Sequence, residues 1–235
     1  YNPIVIGSSI FVASPNNDCL YAISTNSGEI QWKFYTDGPI RFAPAGIGDK
    51  LYFVADDSYL YCLQTSTGKL IWKFRGAPND SKILVNGRLA SPWPARGGPA
   101  VEDGIVYFSA GIWPFMGAFV YALNAETGSL IWKNTGSGSL FGTQAHNSPA
   151  FAGVAPQGYI TVTKDLLLIP NGKASPAAYD IKTGVLLYSN YTRGSGYFVS
   201  ASDKLYFSGG GAFFLNDNRH AGNLPPPQIL TPDYL

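Results

Sequence analysis

Seven side chains that can hold a ligand lie in three long loops of this sequence. Arginine beside exposed tryptophan or phenylalanine suits stacking on a sugar or quinone ring, and it also suits docking of a protein segment. The candidate ligand-binding residues are Arg88, Trp93, Arg96, Trp113, Phe115, Gln144 and His146. The alternative is that these loops pack on each other and plug a channel.

Groups that could perform catalysis are sparse. His146, in FGTQAHNSPAF, could act as a general base, but no serine or cysteine nucleophile motif accompanies it, and a hydrogen-bonded loop histidine is the alternative. Most of the 15 acidic residues lie in turns between predicted strands, where an aspartate caps its own backbone. We expect the pair Asp56-Asp57 to be a solvated turn. The sequence therefore predicts no metal site and leaves the catalytic residues unassigned.

The composition excludes several classes of protein. The formal net charge is +1 and only 13% of residues are charged, so no strong field points to nucleic acid. Residues 104–125 carry no charge and could span a bilayer by length, but their glycines, proline and repeat pattern argue against a membrane span. With 27 glycines, 17 prolines and 14% aromatic residues, the chain is typical of short strands joined by turns.

The elements that must position the candidate residues come from an internal repeat. A glycine is followed four residues later by a tryptophan, or once by a tyrosine, in four segments of similar sequence. The segments are CLYAISTNSGEIQWKF (19–34), YLYCLQTSTGKLIWKF (59–74), FVYALNAETGSLIWKN (119–134) and PAAYDIKTGVLLYSN (176–190). The repeat residues are Gly28 and Trp32, Gly68 and Trp72, Gly128 and Trp132, and Gly184 and Tyr188.

Each repeat predicts four antiparallel strands. In the first copy these strands are Pro3–Ile6, Ile10–Ser14, Cys19–Ser24 and Glu29–Phe34. The repeat glycine supplies the positive φ of a tight turn. Because one such sheet cannot bury both of its faces, the copies must stack, and radial stacking predicts a β-propeller with large aromatic residues wedged between its blades.

The candidate residues fall on one face of such a propeller. If the strands of a blade are named A to D, the A–B and C–D turns lie on one face, and the B–C turns and the links between blades lie on the other. The insertions at residues 75–98, 111–117 and 134–158 all belong to the second set. We call this surface the long-loop face; loops on a rigid scaffold are common sites of binding.

The (T/S)-G-x-(L/I)-x-W strand after an L-Y-A-L-like strand resembles the repeat of pyrroloquinoline quinone (PQQ)-like β-propellers, the quinoprotein and BamB type. The resemblance covers residues 3 to about 215. It implies export to the periplasm or cell surface of a bacterium. The family includes quinoprotein dehydrogenases. For such an enzyme, the resemblance implies an adjacent Cys–Cys disulfide against PQQ, a stacking Trp, an Arg, a catalytic Asp and Ca²⁺ held by Glu and Asn.

That dehydrogenase signature is absent from this sequence, so no cofactor is predicted, with PQQ and Ca²⁺ as the alternative. Cys19 and Cys62 are not adjacent, and strand parity places them on opposite faces of neighbouring blades, where no disulfide is expected. We therefore expect a non-catalytic binding or scaffold propeller that engages a protein or polysaccharide ligand through the long-loop face. A PQQ-dependent oxidoreductase or a carbohydrate-active propeller, with catalytic residues partly outside this chain, is the alternative.

The number of repeats predicts an incomplete propeller. Four blades are full, and a fifth begins near Asp203 without a Thr-Gly…Trp strand. Residues 1–215 are therefore assigned to propeller blades and residues 216–235 to a Pro-rich tail or linker. Because such propellers typically have seven or eight blades and exposed sheet edges are avoided, we expect missing blades from the rest of a longer chain or from self-association.

Overall fold

The computed structural model describes residues 2–85, 87–143, 147–151, 153–172, 174–189 and 197–223. The described residues form β-strands, turns and one short 3₁₀ helix at Pro114–Met116. The strands assemble into five consecutive sheets and two separate hairpins. Each sheet pairs the four strands of one blade in chain order, and the third sheet also pairs in parallel with a short strand from the following link. The predicted all-β fold with four-stranded antiparallel blades is confirmed.

The bounds of the strands follow the repeat. Blade 1 contains β1 (Ile4–Ile6), β2 (Ser9–Ser14), β3 (Cys19–Ser24) and β4 (Ile30–Tyr35). Blade 2 contains β5 (Ala45–Ile47), β6 (Lys50–Val54), β7 (Tyr59–Gln64) and β8 (Leu70–Arg75). The link to blade 3 forms a hairpin of β9 (Ile83–Val85) and β10 (Arg88–Ala90).

Blade 3 contains β11 (Gly97–Glu102), β12 (Ile105–Ala110), β13 (Phe119–Asn124) and β14 (Leu130–Asn134). The next link forms a hairpin of β15 (Phe141–Thr143) and β16 (Pro149–Phe151), and then β17 (Gly158–Tyr159), which pairs in parallel with β11. Blade 4 contains β18 (Thr161–Val162), β19 (Leu166–Asn171), β20 (Ala174–Asp180) and β21 (Leu186–Tyr188). Blade 5 contains β22 (Ser200–Ala201), β23 (Leu205–Ser208), β24 (Gly211–Phe214) and β25 (His220–Gly222).

Each repeat tryptophan docks on the glycine of the next blade. The indole of Trp32 lies over Gly68, where a methyl group would stand 2.6 Å from its Cδ2 atom, and its Nε1 donates to the carbonyl of Thr65 at 2.9 Å. Trp72 lies in the same way on Gly128, again 2.6 Å from an added methyl group. Glycine is required there twice over, by the positive φ and by the indole that covers it.

The same contact continues along the chain. Trp132 lies on Gly184 and donates from Nε1 to the carbonyl of Ile181 at 2.9 Å. Tyr188 takes the tryptophan position in blade 4 and donates from its hydroxyl to the carbonyl of Leu215 in blade 5, also at 2.9 Å. These contacts join each blade to the next and account for the spacing of the repeat.

The buried core lies between blades. Of its four clusters, one joins blades 1 and 2, the next joins blades 2 and 3, and the others continue to blade 5. Stacked rings recur in these layers, as between Phe53 and Tyr61, with centroids 5.1 Å apart, and between Phe108 and Tyr121, at 5.0 Å. The stacking of sheets, rather than any single sheet, buries the apolar faces.

The segments that precede the first strands of blades 1, 2 and 5 meet near Tyr159. Its hydroxyl accepts hydrogen bonds from the backbone N–H of Ala43 at 3.2 Å and from the side chain of Asn2 at 3.4 Å. Its ring lies 5.3 Å from the rings of Phe42 and Phe198. Residues from the start of blade 1, from the link after it and from the link before blade 5 thus converge on one aromatic side chain.

Blade 5 is more complete than the repeat pattern indicated. Its last strand, β25, pairs Gly222 with Ala212, the pairing that Trp32 makes with Ala22 in blade 1. The strand forms without a tryptophan because sheet pairing uses only the backbone, and Asn218 takes the positive φ that glycine adopts in the other blades. The sheet therefore extends into the segment that the sequence assigned to the tail, whose residues 224–235 lie outside the described ranges.

Two further predictions can be compared with the structure. Cys19 and Cys62 are both buried and free, as expected from their strand positions. The uncharged segment 104–125 contains β12, the short 3₁₀ helix and β13, and no helix in the described ranges is long and apolar enough to cross a membrane.

Candidate functional site

A cavity of about 670 Å³ opens where the B–C turns of three blades meet the links between blades. Its volume is in the range of small-ligand pockets. The lining residues come from the turns after β2, β6 and β12, from the link after blade 1 and from the link that carries β9 and β10. They are Pro15, Asn16, Pro39, Arg41, Asp56, Ile83, Val85, Arg88, Leu89, Ala90, Ser91, Pro92, Pro94, Arg96, Ile112 and Trp113.

Asp56 is the centre of charge in this cavity. Arg96 binds its carboxylate with two nitrogens, from Nε to Oδ1 at 3.1 Å and from Nη2 to Oδ2 at 3.0 Å. Arg41 donates from Nε to Oδ2 at 2.6 Å. The Asp56 side chain is 5% exposed, whereas those of Arg41 and Arg96 are 43% and 29% exposed. The two guanidinium groups therefore cover the carboxylate and form the charged wall of the cavity.

The turn that carries Asp56 is held by its own neighbours. The backbone N–H of Asp56 donates to the carbonyl of Pro39 at 2.9 Å, and the N–H of Ala95 donates to the carbonyl of Ala55 at 3.2 Å. A methyl group added at Gly38 would stand 2.7 Å from the backbone nitrogen of Asp57, so the close approach of the two segments requires glycine at this position. These contacts fix both arginine-bearing links on blade 2.

Asp57 stabilises the same turn from inside. Its carboxylate accepts from the hydroxyl of Tyr61 at 2.6 Å, and from the backbone N–H groups of Tyr59 at 3.0 Å and Asp37 at 3.2 Å. Burial raises the pKa of Asp57, and the hydrogen bonds oppose that shift. The expectation of a solvated Asp56-Asp57 turn is wrong, because arginines cover the first carboxylate and the core of blade 2 encloses the second.

The β9–β10 hairpin forms another wall. Arg88 donates from Nη2 to Oδ2 of Asp18, which ties the hairpin to the B–C turn of blade 1. Ile83 and Val85 contribute to the cavity lining. Leu84 and Leu89 oppose each other across the hairpin and are 74% and 67% exposed. Of this exposed apolar cross-strand pair, Leu89 also lines the cavity.

The predicted aromatic residues divide into two kinds. Trp93 is half-buried and donates from Nε1 to the carbonyl of Met116 at 2.8 Å, so it joins two loops. Trp113 lines the cavity and is 53% exposed. Phe115 is 67% exposed, with its ring centroid 6.3 Å from that of Trp113. Trp93 therefore agrees with the alternative that the long loops pack on each other, whereas Trp113 and Phe115 remain accessible.

The structure brings Arg88, Arg96 and Trp113 to one cavity, with Phe115 beside it. Gln144 and His146 lie outside the described residues, and their role stays a prediction. Arg41 was not predicted as a site residue, and Asp56 was predicted only as part of a solvated turn. Arg41 lies in a short link without an insertion, so loop length gave no signal for it; the adjacent aspartates of blade 2 were the only sign of Asp56.

The described residues do not fit the PQQ and Ca²⁺ site that the resemblance implies for dehydrogenases. Within the described ranges, no three side chains among histidine, cysteine, aspartate and glutamate come together as a metal site would require. The two cysteines stand in separate blades, and burial raises the pKa of Cys62 to about 12. Asp56, the buried carboxylate of the cavity, is already paired with two arginines.

The fold and its repeat define a β-propeller built from PQQ-like blades. A family profile described as outer membrane protein assembly factor BamB matches residues 3–93 and 87–224. The chain belongs to this family. A comparison with curated proteins found no match.

Solved structures share the fold at low identity. The structure of BamB from Moraxella catarrhalis is 15% identical, with a TM-score of 0.69 over 97% of this chain and 66% of that one. The quinohemoprotein alcohol dehydrogenase ADHIIG from Pseudomonas putida HK5 is 16% identical, with a TM-score of 0.70 over 95% of this chain and 42% of that one. A europium-containing methanol dehydrogenase is 15% identical, with a TM-score of 0.66 over 93% and 49%. This chain therefore spans less than two thirds of the length of each.

Proposed function

We propose that this chain is a non-catalytic binding propeller, a scaffold that engages a protein or polymer ligand through the long-loop face. The observation that carries the proposal is the cavity itself, in which arginines line the wall and exposed apolar residues stand at the mouth. Loops fixed on a rigid scaffold are suited to recognition, and a ligand on this face would cover apolar surface that is otherwise left to water.

Rigidity supports this proposal. The link that carries Arg96 is tied to blade 2 through Ala95 and to blade 3 through the N–H of Gly111, which donates to the carbonyl of Pro94 at 3.0 Å. The carbonyl of Arg96 in turn accepts from the N–H of Gly158 at 3.0 Å. A surface that is already ordered loses little entropy when a ligand binds.

The family description adds a second line of support. It names an outer membrane protein assembly factor, a type of protein whose task is to contact other proteins. For this chain we accordingly propose a protein ligand ahead of a polysaccharide, and a location in the periplasm or at the cell surface.

Selection of peptides from a random display library tests the binding role. We expect the folded protein to enrich peptides whose binding is lost in Leu89→Lys and Trp113→Ala, because both changes alter the long-loop face. Ile71→Lys is the matched control, since Ile71 is an exposed residue of the outer strand β8. Enriched peptides that lose binding in the control and keep it in the other two variants would contradict the proposal.

A quinoprotein-type oxidoreductase is the second candidate, favoured by the shared fold of the two dehydrogenases. A carbohydrate-active propeller belongs to the same alternative, and either would need catalytic groups outside the described residues. Incubation with PQQ and Ca²⁺ followed by gel filtration separates the candidates. A visible absorbance that stays with the protein in stoichiometric amount would favour the oxidoreductase, and its loss to the small-molecule fraction would favour the binding propeller.

A further inference from the structure

Among the ion pairs that line the cavity, the charges do not cancel. Three guanidinium groups, on Arg41, Arg88 and Arg96, face two carboxylates, on Asp18 and Asp56. One positive charge is therefore in excess in a concave site with apolar walls, where a charge acts more strongly than on an open surface.

The excess positive charge is available to a ligand at Arg41. Arg96 uses two nitrogens on Asp56, whereas Arg41 uses only Nε toward the described residues. The terminal nitrogens of Arg41 have no partner among the described residues and can bind water or a ligand, and its side chain is 43% exposed. A planar guanidinium with free terminal N–H groups is well matched to a carboxylate.

The rest of the cavity is mainly apolar. Ile83, Val85, Leu89, Ile112 and Trp113 line it, together with prolines from three segments. Neutral polar side chains are limited to two among the lining residues, Asn16 and Ser91, and Ser91 Oγ already accepts from the N–H of Trp93 at 3.2 Å. A sugar polymer, with many hydroxyl groups, would leave most of them without partners in such a wall.

The apolar surface continues beyond the cavity. Leu89 lines the cavity and forms an exposed apolar pair with Leu84 on the hairpin, and Phe115 extends the apolar surface beside Trp113. A ligand that uses both the charged wall and these residues must be longer than the cavity, so an extended chain fits better than a compact small molecule.

We propose that the cavity binds an acidic peptide segment, in which an aspartate or glutamate carboxylate pairs with Arg41 and neighbouring apolar side chains pack on Leu89 and Trp113. This inference rests on the proposed binding function and names the chemistry of its ligand. Charge complementarity selects the carboxylate, and the apolar walls select the residues around it.

The test uses synthetic copies of the enriched display peptides, each made with its own acidic residues and again with asparagine or glutamine in their place. Fluorescence anisotropy gives the dissociation constants. We expect the enriched sequences to carry acidic residues beside apolar ones, and the amide copies to bind about tenfold more weakly, a difference of about 1.4 kcal/mol.

Arg41→Gln is the informative variant, because Asp56 keeps both hydrogen bonds from Arg96 and the turn stays paired. It should weaken the acidic peptide about tenfold and remove the difference between acidic and amide copies. Arg219→Gln is the control: it removes the same charge from blade 5, at a residue that is not part of the cavity lining. Equal unfolding midpoints of the two variants would show that both are folded.

The outcomes separate the two proposals. Equal binding of acidic and amide copies, or unchanged binding by Arg41→Gln, would overturn the acidic ligand. If those peptides still lost binding in Leu89→Lys and Trp113→Ala, the binding function of the long-loop face would stand. Peptides that are insensitive to every change on this face would overturn both.

Discussion

Among single residues, Asp56 and Asp57 show how burial separates two adjacent side chains of the same type. Asp56 faces the cavity and is neutralised by Arg41 and Arg96, whereas Asp57 faces the interior of blade 2 and accepts from Tyr61 and two backbone N–H groups. Asp56 therefore shapes the candidate binding site, and Asp57 holds the turn that presents it.

The raised pKa of Asp57 gives a pH-dependent prediction. The folded state favours the protonated form, so this group's contribution to stability is present at low pH and is lost as the pH rises from 3.8 through the folded-state pKa. We expect the free energy of unfolding of the wild type, relative to that of Asp57→Asn, to decrease as the pH rises through this range. Urea titrations across the acidic range measure it. A relative free energy that grows with pH would show that the hydrogen bonds outweigh desolvation.

The two thiols give a second prediction at this scale. Both are fully buried, and burial raises the pKa of Cys62 to about 12. We expect neither thiol to react with a disulfide reagent at about pH 8 in the folded protein, and both to react in denaturant, because the thiolate is the reactive form. Rapid modification of Cys62 without denaturant would contradict its position in the core between blades 2 and 3.

At the scale of elements, the contact of tryptophan on glycine explains why the repeat has its spacing. The turn after the third strand must carry a residue with positive φ, and the indole of the preceding blade leaves no room for a side chain there. Gly28 has the same positive φ as the others, but no atom of the described residues lies within 4 Å of a methyl group added to it.

This difference makes Gly68→Ala and Gly28→Ala a matched pair. Both changes place a side chain at positive φ, at a cost of about 1–2 kcal/mol. In the 235-residue chain by itself, only Gly68→Ala also displaces an indole, so we expect it to cost a further 1–3 kcal/mol, roughly the range for overpacking. Urea unfolding of the two variants measures the difference. Equal losses of stability would show that Trp32 moves aside without cost.

At the scale of the whole molecule, blade 1 presents a face that no other blade of the described residues covers. Ile10, Val12, Tyr21 and Ile23 are only half-buried, whereas residues in the same register of blade 2, such as Leu51 and Phe53, are buried under blade 1. We propose that further blades cover this face, from the rest of a longer polypeptide or from a second molecule. The length of the matched structures supports this proposal.

The Gly28 position tests this closure. In the natural protein, with its mass and oligomeric state known from light scattering, we expect Gly28→Ala to destabilise as much as Gly68→Ala, because a further blade would place an aromatic side chain on it. If Gly28→Ala still cost only about 1–2 kcal/mol there, the cost of positive φ alone, blade 1 would be an exposed end of the molecule.

The blades of this protein can be predicted from the amino-acid pattern alone. Glycine, tryptophan and alternating apolar residues recur at fixed spacing because sheet pairing and the contact between blades are repeated in each blade. Gly68 therefore predicts a tight turn, and Trp72 predicts a contact with the next blade. The long-loop face followed from the positions of the insertions. The fourth strand of blade 5 was not predicted, because its pairing needs no tryptophan and the repeat pattern is therefore absent there.

The set of charges that share the cavity depends on tertiary packing and could not be predicted from the sequence. Arg41 and Arg96 are separated by more than a whole blade in sequence, and both reach Asp56 because the links and the B–C turn come together on one face. No periodic sequence pattern predicts this contact, since it depends on how successive blades are arranged around the axis of the propeller. The burial of Asp56, and hence its pairing with two arginines, follows from that packing.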